Sequence, residues 1–505
     1  MAVGTTLCLE HPLPETFGAC LLWHGFLTPD ECTALIADAE QHGFQRADLD
    51  YPPSYRDNDR QVRDDPDMAD RLWHRLRQAL PQLGKAGISG WEPIGINERL
   101  RLCRYGPGQQ FRIHRDGVHH RDPHCRSALT FMVYLTDGAE FDGGDTLFFA
   151  GGPGRPGDPV ARIRPRRGSL ILFDHDIWHA GDIVTRGSKH ILRSDVLYHR
   201  KDGDAVVSAQ HLGYVWTLLK LADGRIASAG RDTAIRLWDS NGDHRGCLQG
   251  HRQSVLGLAE IRPGLLASVS RDRSLRLWDV ARQACIHEAT AHEAAALCVA
   301  ALPGRELVAT GGADARIHVW SERGQRLCTC AGHDGWIWAL ACCTPGRLFS
   351  ASEDGMVKCW ELDDSRCLGT WPGEVPLRSI DAHLLPDGST RLAVGDADGW
   401  IRLGIFRDGC FQETRRIKAH TAAIRRVRFF TDGTLATCGE DGALRQWDSP
   451  SLRLRTEDVR EPFVTDVLEL DRHGWLSSAY DGALRYHRPL RSATEPRQLT
   501  MLNSG

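Results

Sequence analysis

Hydrophobic positions along the chain change their spacing twice. Between residues 28 and 80 they recur every three or four places. Thr28-Pro29-Asp30-Glu31 reads as a helix start with a capping box, and Leu35, Ile36 and Ala39 follow on one face. Asp65-Pro66 opens a second helix with Ala69, Leu72, Trp73, Leu76 and Leu80 on its apolar side. From about residue 92 the period falls to two, which predicts strands over 100–105, 127–135, 146–150, 169–173 and 190–198 between Gly- and Pro-rich turns. Helices followed by strands predict a double-sheet jelly roll with supporting helices.

Past residue 204 the alternating segments become short and regular. Arg231-Asp232-Thr233-Ala234-Ile235-Arg236-Leu237-Trp238-Asp239 is echoed by Arg271-Asp272-Arg273-Ser274-Leu275-Arg276-Leu277-Trp278-Asp279. Further copies end at Trp320, Trp360, Gly404, Trp447 and His487, at steps of 40, 42, 40, 44, 43 and 40 residues. In every copy an aspartate stands six places before the end: Asp232, Asp272, Asp314, Asp354, Asp398, Asp441 and Asp481. Gly250-His251 and Gly332-His333 open two copies, and His211, His292 and His420 match them in part; copies five and seven lack the histidine. Over 204–488 this pattern resembles WD repeats, one four-stranded blade each, and the resemblance implies a seven-bladed β-propeller. The chain as a whole is therefore expected to be mainly β: a jelly-roll domain over 1–200, with its core at about 92–199, the propeller over 204–488, and a tail over 489–505.

A ring of blades needs closure, and Ala205-Val206-Val207-Ser208 is expected to pair near 484–486 as the outer strand of the last blade. The repeated His and Asp are read as a buried His–Ser/Thr–Trp network with turn anchors, in preference to catalysis or metal binding. Three places after the histidine or its equivalent stand Tyr214, Trp336 and Phe463, candidate aromatic anchors for a protein or peptide partner. Arg415, Arg416, Lys418, Arg425, Arg426 and Arg428 read as a solvated basic face.

Composition narrows the function. The 505 residues carry 62 Lys+Arg against 66 Asp+Glu, a net charge of −4, which argues against nucleic acid and anionic membrane as partners. No apolar run approaches the roughly 18 residues of a membrane span. Residues 1–15 lack the basic and apolar regions of a secretory signal. Sixteen cysteines without a CxxC pair read as free thiols in a reducing compartment, and a cytoplasmic location is expected. Only six of the basic residues are lysines, so a lysine at a special place is informative.

The chemistry lies in the first domain. In His114-Arg115-Asp116, residues two apart on a strand face the same side, so imidazole and carboxylate converge. His179, a short turn beyond the apolar run 168–173, is the candidate third ligand of a two-His, one-carboxylate face. Such a face leaves metal positions open, which suits Fe(II) better than a closed zinc site does. A second H-x-D step, His120-Arg121-Asp122, is a decoy. His119, His124, His175 and His190 read as incidental, and Arg56-Asp57-Asn58-Asp59-Arg60 as a solvated turn in preference to a substrate-side loop.

Context selects the first step. Tyr105-Gly106-Pro107-Gly108-Gln109-Gln110-Phe111 leads into His114, Gly143-Gly144-Asp145-Thr146 follows a hairpin later, and Thr185-Arg186-Gly187-Ser188-Lys189 follows His179. Over about 20–199 this ordered set resembles the prolyl 4-hydroxylase-like branch of the Fe(II)/2-oxoglutarate oxygenases. The resemblance implies His114, Asp116 and His179 as catalytic iron ligands. It implies Lys189 as the cation for the distal carboxylate of 2-oxoglutarate, with Arg193 assisting or replacing it, and Tyr105 donating to the same cosubstrate. Thr146 and Trp178 would shape the pocket. Fe(II), 2-oxoglutarate and O₂ are the implied cofactors, with ascorbate as reductant. The implied reaction is hydroxylation of a C–H bond, and Asp116 favours it over halogenation. A peptidyl proline or other protein residue delivered by the propeller is the first substrate class. A small-molecule substrate, or a WD-repeat scaffold with an inactive or sensory oxygenase domain, are the alternatives.

Overall fold

A computed structural model describes residues 8–47, 56–79, 91–122, 124–152, 156–200, 211–449, 451–459, 463–471 and 474–487. The chain divides into two compact units, Met1–Val206 and Val207–Gly505.

In the first unit both predicted helices form. Helix α1, Pro29–His42, is capped as the sequence expects: the Thr28 hydroxyl accepts from Glu31 N–H and the Glu31 carboxylate from Thr28 N–H. Helix α2, Pro66–Leu76, starts from an Asp65 side chain that accepts from Met68 N–H. Leu80, assigned to its apolar face, lies outside the described residues. The major sheet is antiparallel and runs Cys8–Glu10, Cys20–His24, Leu170–Asp174, Cys125–Tyr134, Lys189–Arg200, Arg99–Tyr105, Asp59–Asp64, Gln45–Arg46. The minor sheet runs Ala161–Ile163, Thr146–Phe149, Trp178–Gly181, Phe111–His114.

Period-two alternation sorts the major sheet's side chains into two layers. Leu100, Leu102, Leu129, Phe131, Val133, Leu170 and Leu172 pack with the helices' Leu35, Ala39, Leu72 and Leu76. The intervening Cys103, Tyr105, Met132, Tyr134, Ile171 and Phe173 pack against Phe111 and Phe148 of the minor sheet. The sheet is thus buried on both faces, and the space between the sheets is the jelly-roll interior. One expectation is corrected: strands begin well before residue 92. Cys20–His24 is apolar on both faces and so shows no alternation. Asp59–Asp64 reads Asp-Arg-Gln-Val-Arg-Asp and, lying near the sheet edge, gives no apolar signal.

The second unit holds seven blades, six of four strands and one of three among the described residues, each strand hydrogen-bonded to the next in chain order. Five blades carry the expected network. His211 Nδ1 lies 2.9 Å from Asp232 and its Nε2 2.7 Å from Ser228 Oγ, to which Trp238 N–H donates at 2.7 Å. The same chain links His251, Asp272, Ser268 and Trp278, with His292, His333 and His420 centring the others. In blade seven His487 stands in for the tryptophan and reaches Ser477 Oγ at 2.7 Å. In blade five Asp398 is exposed, against the expectation that it anchors the turn. Asp396 takes that place, accepting from Asp398 N–H and Trp400 N–H. The ring closes where Leu218 N–H in blade one donates to Asp466 of blade seven at 2.9 Å. The expected closing strand at 205–208 and the tail at 489–505 lie outside the described residues.

Candidate functional site

The strands Phe111–His114 and Trp178–Gly181 pair antiparallel with His114 directly opposite His179. Their ring centroids are 4.1 Å apart. Asp116 follows two residues later and turns its carboxylate between them, 3.4 Å from His114 Nε2 and 3.5 Å from His179 Nε2. One ligand atom from each of the three lies within 4.8 Å of the others, and all three residues are buried.

Backbone carbonyls orient both rings. His114 Nδ1–H donates to Arg112 C=O at 2.8 Å and His179 Nδ1–H to Ile177 C=O at 3.0 Å. That fixes the tautomer with Nε2 as the lone-pair nitrogen facing the carboxylate. Burial holds both imidazoles below their ordinary value, His179 at about 3, so both stay neutral. Asp116 is lowered well below the carboxylate range: burial opposes its charge, but the Arg193 guanidinium beside it outweighs burial. Two neutral imidazoles and one ionised carboxylate converging on one point form a donor set that could hold a divalent metal.

Sequence reasoning missed the layer behind Asp116. The Thr130 hydroxyl donates to Asp116, and Thr130 also lies 3.1 Å from His175 Nδ1. His175 Nε2 reaches Ser127 Oγ at 2.9 Å, and its backbone C=O accepts from Asp116 N–H. His175, read as incidental, is therefore part of the carboxylate's support. Thr130 and Ser127 sit on the central strand, where an apolar face was expected, and a buried polar pair there was the available signal.

The strand Lys189–Arg200 turns Lys189, Ile191, Arg193 and Asp195 to the interior. Lys189 is 4% exposed, and its ammonium donates to Gly144 C=O at 2.6 Å, with the rings of Tyr105 and Tyr134 each at 5.7 Å. Burial brings it down to about 8. Gly144 belongs to a double-glycine turn with positive φ at both residues; a Cβ on Gly143 would stand 2.0 Å from Ile183 C=O, so the turn that presents Gly144 requires glycine. Tyr105 pairs with Lys189 across the strands, and burial pushes its phenol up to about 12. Tyr134 O–H donates to Thr146 Oγ1 at 2.8 Å. Trp178 packs under Arg115 at 4.5 Å. Arg193 and Lys189, paired in the expectation as alternatives, separate: Arg193 pairs with Asp116, and Lys189 stands at the glycine turn.

Arg56 corrects a second expectation. It is 3% exposed, 4.5 Å over the ring of Phe111, with Nε bonded to the buried Asn58. Phe111 in turn stacks on His114 at 3.6 Å. Arg56 and Asn58 are thus part of the interior wall, while Asp57, Asp59 and Arg60 stay half-buried. His120 and Asp122 lie on an edge strand, half-buried and exposed, with Asp122 accepting from His124 N–H, away from the cluster.

On the propeller, Tyr214 stacks on Tyr480 at 4.2 Å and Phe463 meets the same ring edge-on at 4.9 Å. Trp336 is buried among Ala295, Leu297 and Trp338, so the three anchors form two groups. The basic stretch is not one solvated face. Arg425 pairs with Glu440, and Arg426 and Arg428 with the buried Asp466. Another His–Asp–His group, His292, Asp314 and His318, belongs to blade three, where both ring nitrogens of His292 are already spent on Asp314 and Thr310.

The fold and the site define an oxygenase-type jelly roll joined to a WD-repeat ring. Comparison with known families agrees: residues 100–194 match the 2OG-Fe(II) oxygenase superfamily, and residues 242–279, 283–321, 324–361 and 411–448 match the WD domain, G-beta repeat. The chain thus couples a 2OG-Fe(II) oxygenase domain to WD repeats. Its curated relatives include the nuclear distribution protein PAC1-2 of Uncinocarpus reesii, 28% identical over 252 residues, 44% of this chain and 47% of that protein. The nuclear distribution protein PAC1 of Arthroderma benhamiae is 46% identical over 65 residues, 12% of this chain and 14% of the relative. Eukaryotic translation initiation factor 3 subunit I of Pyricularia oryzae is 35% identical over 105 residues, 20% and 30% of the two chains. The chain spans less than half the length of each of these relatives. Among the described residues, no helix is long and apolar enough to cross a membrane.

Proposed function

We propose that the protein is an Fe(II)- and 2-oxoglutarate-dependent dioxygenase that hydroxylates a C–H bond, on a protein residue such as proline, with the propeller recruiting the protein that carries it. The convergence of His114, Asp116 and His179 carries this reading. The donor set fits iron: two imidazoles with Nδ1 tied to carbonyls and a carboxylate kept ionised. When bound there, Fe(II) with O₂ supplies the oxidising chemistry, one oxygen atom going to the substrate C–H and 2-oxoglutarate leaving as succinate and CO₂.

The chain's own residues do the rest. Thr130 and His175 hold Asp116 in place. Lys189 offers the buried cation that a keto-acid's distal carboxylate needs in a dry interior, and Tyr105 across from it adds a hydroxyl. Phe111, Phe148 and Phe173 crowd the imidazoles and exclude water. Sixteen free thiols support a reducing, cytoplasmic setting. Ascorbate would serve as reductant. WD repeats commonly mediate protein association, and the propeller would raise the effective concentration of a bound substrate protein.

The test is succinate formation by purified protein given Fe(II) and 2-oxoglutarate, followed by mass spectrometry for +16 Da products after incubation with host lysate. Absence of succinate, even uncoupled, would leave the second reading, a WD-repeat scaffold with an inert oxygenase fold. That reading draws on relatives that match as WD-repeat proteins.

A further inference from the structure

Blade five has lost three of the four side chains that knit its neighbours. Gly373 stands where the histidine would be, four places before the inner strand Leu377–Leu384, just as His211 and His420 stand four places before theirs. Val394 replaces the hydroxyl and Gly404 the tryptophan. The tryptophan's loss is made good. Trp371, from the preceding strand, puts its ring 2.7 Å from where a Cβ on Gly404 would be. The histidine's loss is not. A cavity of about 350 Å³ remains, lined by Gly373, Glu374, Asp396, Arg402, Glu413 and Arg416 among others.

Arg402 shows what is missing. It is the counterpart of Arg236 and Arg445, two places before the end of the repeat. In those blades Nη1 lies 2.9 Å from the histidine Nδ1. Arg402 is 6% exposed and packed 4.3 Å over Trp371; its Nε bonds Glu413 and its Nη2 the Pro372 carbonyl. Its Nη1 is buried with no hydrogen-bond partner and stands 2.8 Å from the point where a Cβ on Gly373 would be. A buried, charged N–H left unmet is costly.

The lining also sets the ligand's charge. Three carboxylates face two guanidiniums, and Arg416 is already near Glu374 at 3.3 Å. A further anion would add to the carboxylate excess, and a cation would leave Arg402 unmet. A neutral ring offering one nitrogen lone pair and one N–H meets both sides. We propose that this cavity binds a neutral imidazole supplied from outside the chain, in the first place the side chain of a partner's histidine, which completes blade five as resident histidines complete five others.

Saturation-transfer NMR on the metal-free full-length protein tests this with imidazole, the tripeptide Gly-His-Gly, acetate and pyrrole as probes. Imidazole or the tripeptide should bind saturably, whereas acetate, which has no donor, and pyrrole, which has no acceptor, should not. Tighter binding of the tripeptide supports a peptide histidine; binding of imidazole alone supports a free heterocycle of the same chemistry. Gly373→His brings a Cβ to 2.8 Å from both Arg402 Nη1 and the Gly355 carbonyl, so it should displace Nη1, fill the cavity and abolish the signal. Arg402→Lys should weaken it at least tenfold, and blade four already carries Lys358 at that place, so this variant decides the matter should Gly373→His not fold. Unchanged binding in Arg402→Lys, or acetate binding as well as imidazole, overturns the proposal.

Discussion

The guanidinium of Arg193, on the major sheet, is paired with the carboxylate of Asp116, which follows a strand of the minor sheet. A cation thus rests on the group proposed as an iron ligand, so metal entry and this ion pair compete for one carboxylate. Removing the guanidinium leaves a buried charge unmet, at about 3–5 kcal/mol. Arg193→Met should lower the melting temperature of the metal-free first unit by roughly 6–20 °C, and Mn(II) should restore more of it than Mn(II) adds to the wild type. Equal metal-induced shifts in the two proteins would separate Arg193 from metal binding.

His114→Ala and Asp116→Ala should each abolish Fe(II) binding and reduce succinate formation at least 100-fold, and His120→Ala should change neither. Isothermal titration with Mn(II) and a succinate assay read the two effects. A comparable loss in His120→Ala would overturn the choice of His114-Arg115-Asp116 and move the metal site to the His120–Asp122 step.

Lys189→Ala should raise the KM for 2-oxoglutarate by roughly 10- to 100-fold, the scale of a charge-assisted hydrogen bond of about 1.5–3 kcal/mol, and leave Mn(II) affinity near wild type. An unchanged KM would shift the cosubstrate's anchor to Arg193 or Arg56.

In the propeller, Ser268 Oγ receives Trp278 N–H at 2.8 Å and bonds His251 at 2.6 Å. Ser268→Ala leaves both partners buried and unmet and should cost about 1–3 kcal/mol, read as a lower urea midpoint with no change in succinate formation. Loss of succinate formation in this variant would show that the two units are energetically coupled.

Acid should weaken the ring. Burial and the neighbouring His292 hold His318 at about 4, below its ordinary 6.5. A histidine depressed in the fold contributes stability that is present above pH 6.5 and is lost as pH falls toward 4. His211 and His420, lowered by burial, act in the same direction. The urea midpoint of the propeller should therefore fall between pH 6.5 and 4. It should fall less in His318→Arg, which installs the residue that blades one, two, five, six and seven carry there.

The propeller was legible because its period survives even where individual residues do not. The residues of the His–Asp–His cluster were legible in the H-x-D step and its context, but the expectation that one strand carries both ends of that step is corrected: the strand stops at His114, and Asp116 is placed by its N–H bond to His175 C=O. What stayed hidden depends on contacts between distant segments. Arg56 and Asn58 sit in a stretch as polar as any surface turn, and the arginine is buried by distant residues such as Cys103, 47 residues on, and Phe111, 55 residues on. His175, Thr130 and Ser127 are separated by up to 48 residues and become a network only across paired strands. Asp398 kept its register while its task passed to Asp396, a substitution that position counting does not register.

The bond from Leu218 to Asp466 spans 248 residues. On a ribosome, the first blade emerges long before the last one exists, and one of its flanks stays uncovered until Asp466 has been synthesised. The oxygenase unit, whose strands all lie before residue 201, has no such wait. The molecule is therefore made in an order that lets the His114–Asp116–His179 cluster assemble early, while the ring remains open, exposed to chaperones and to mispairing, until the seventh blade has emerged.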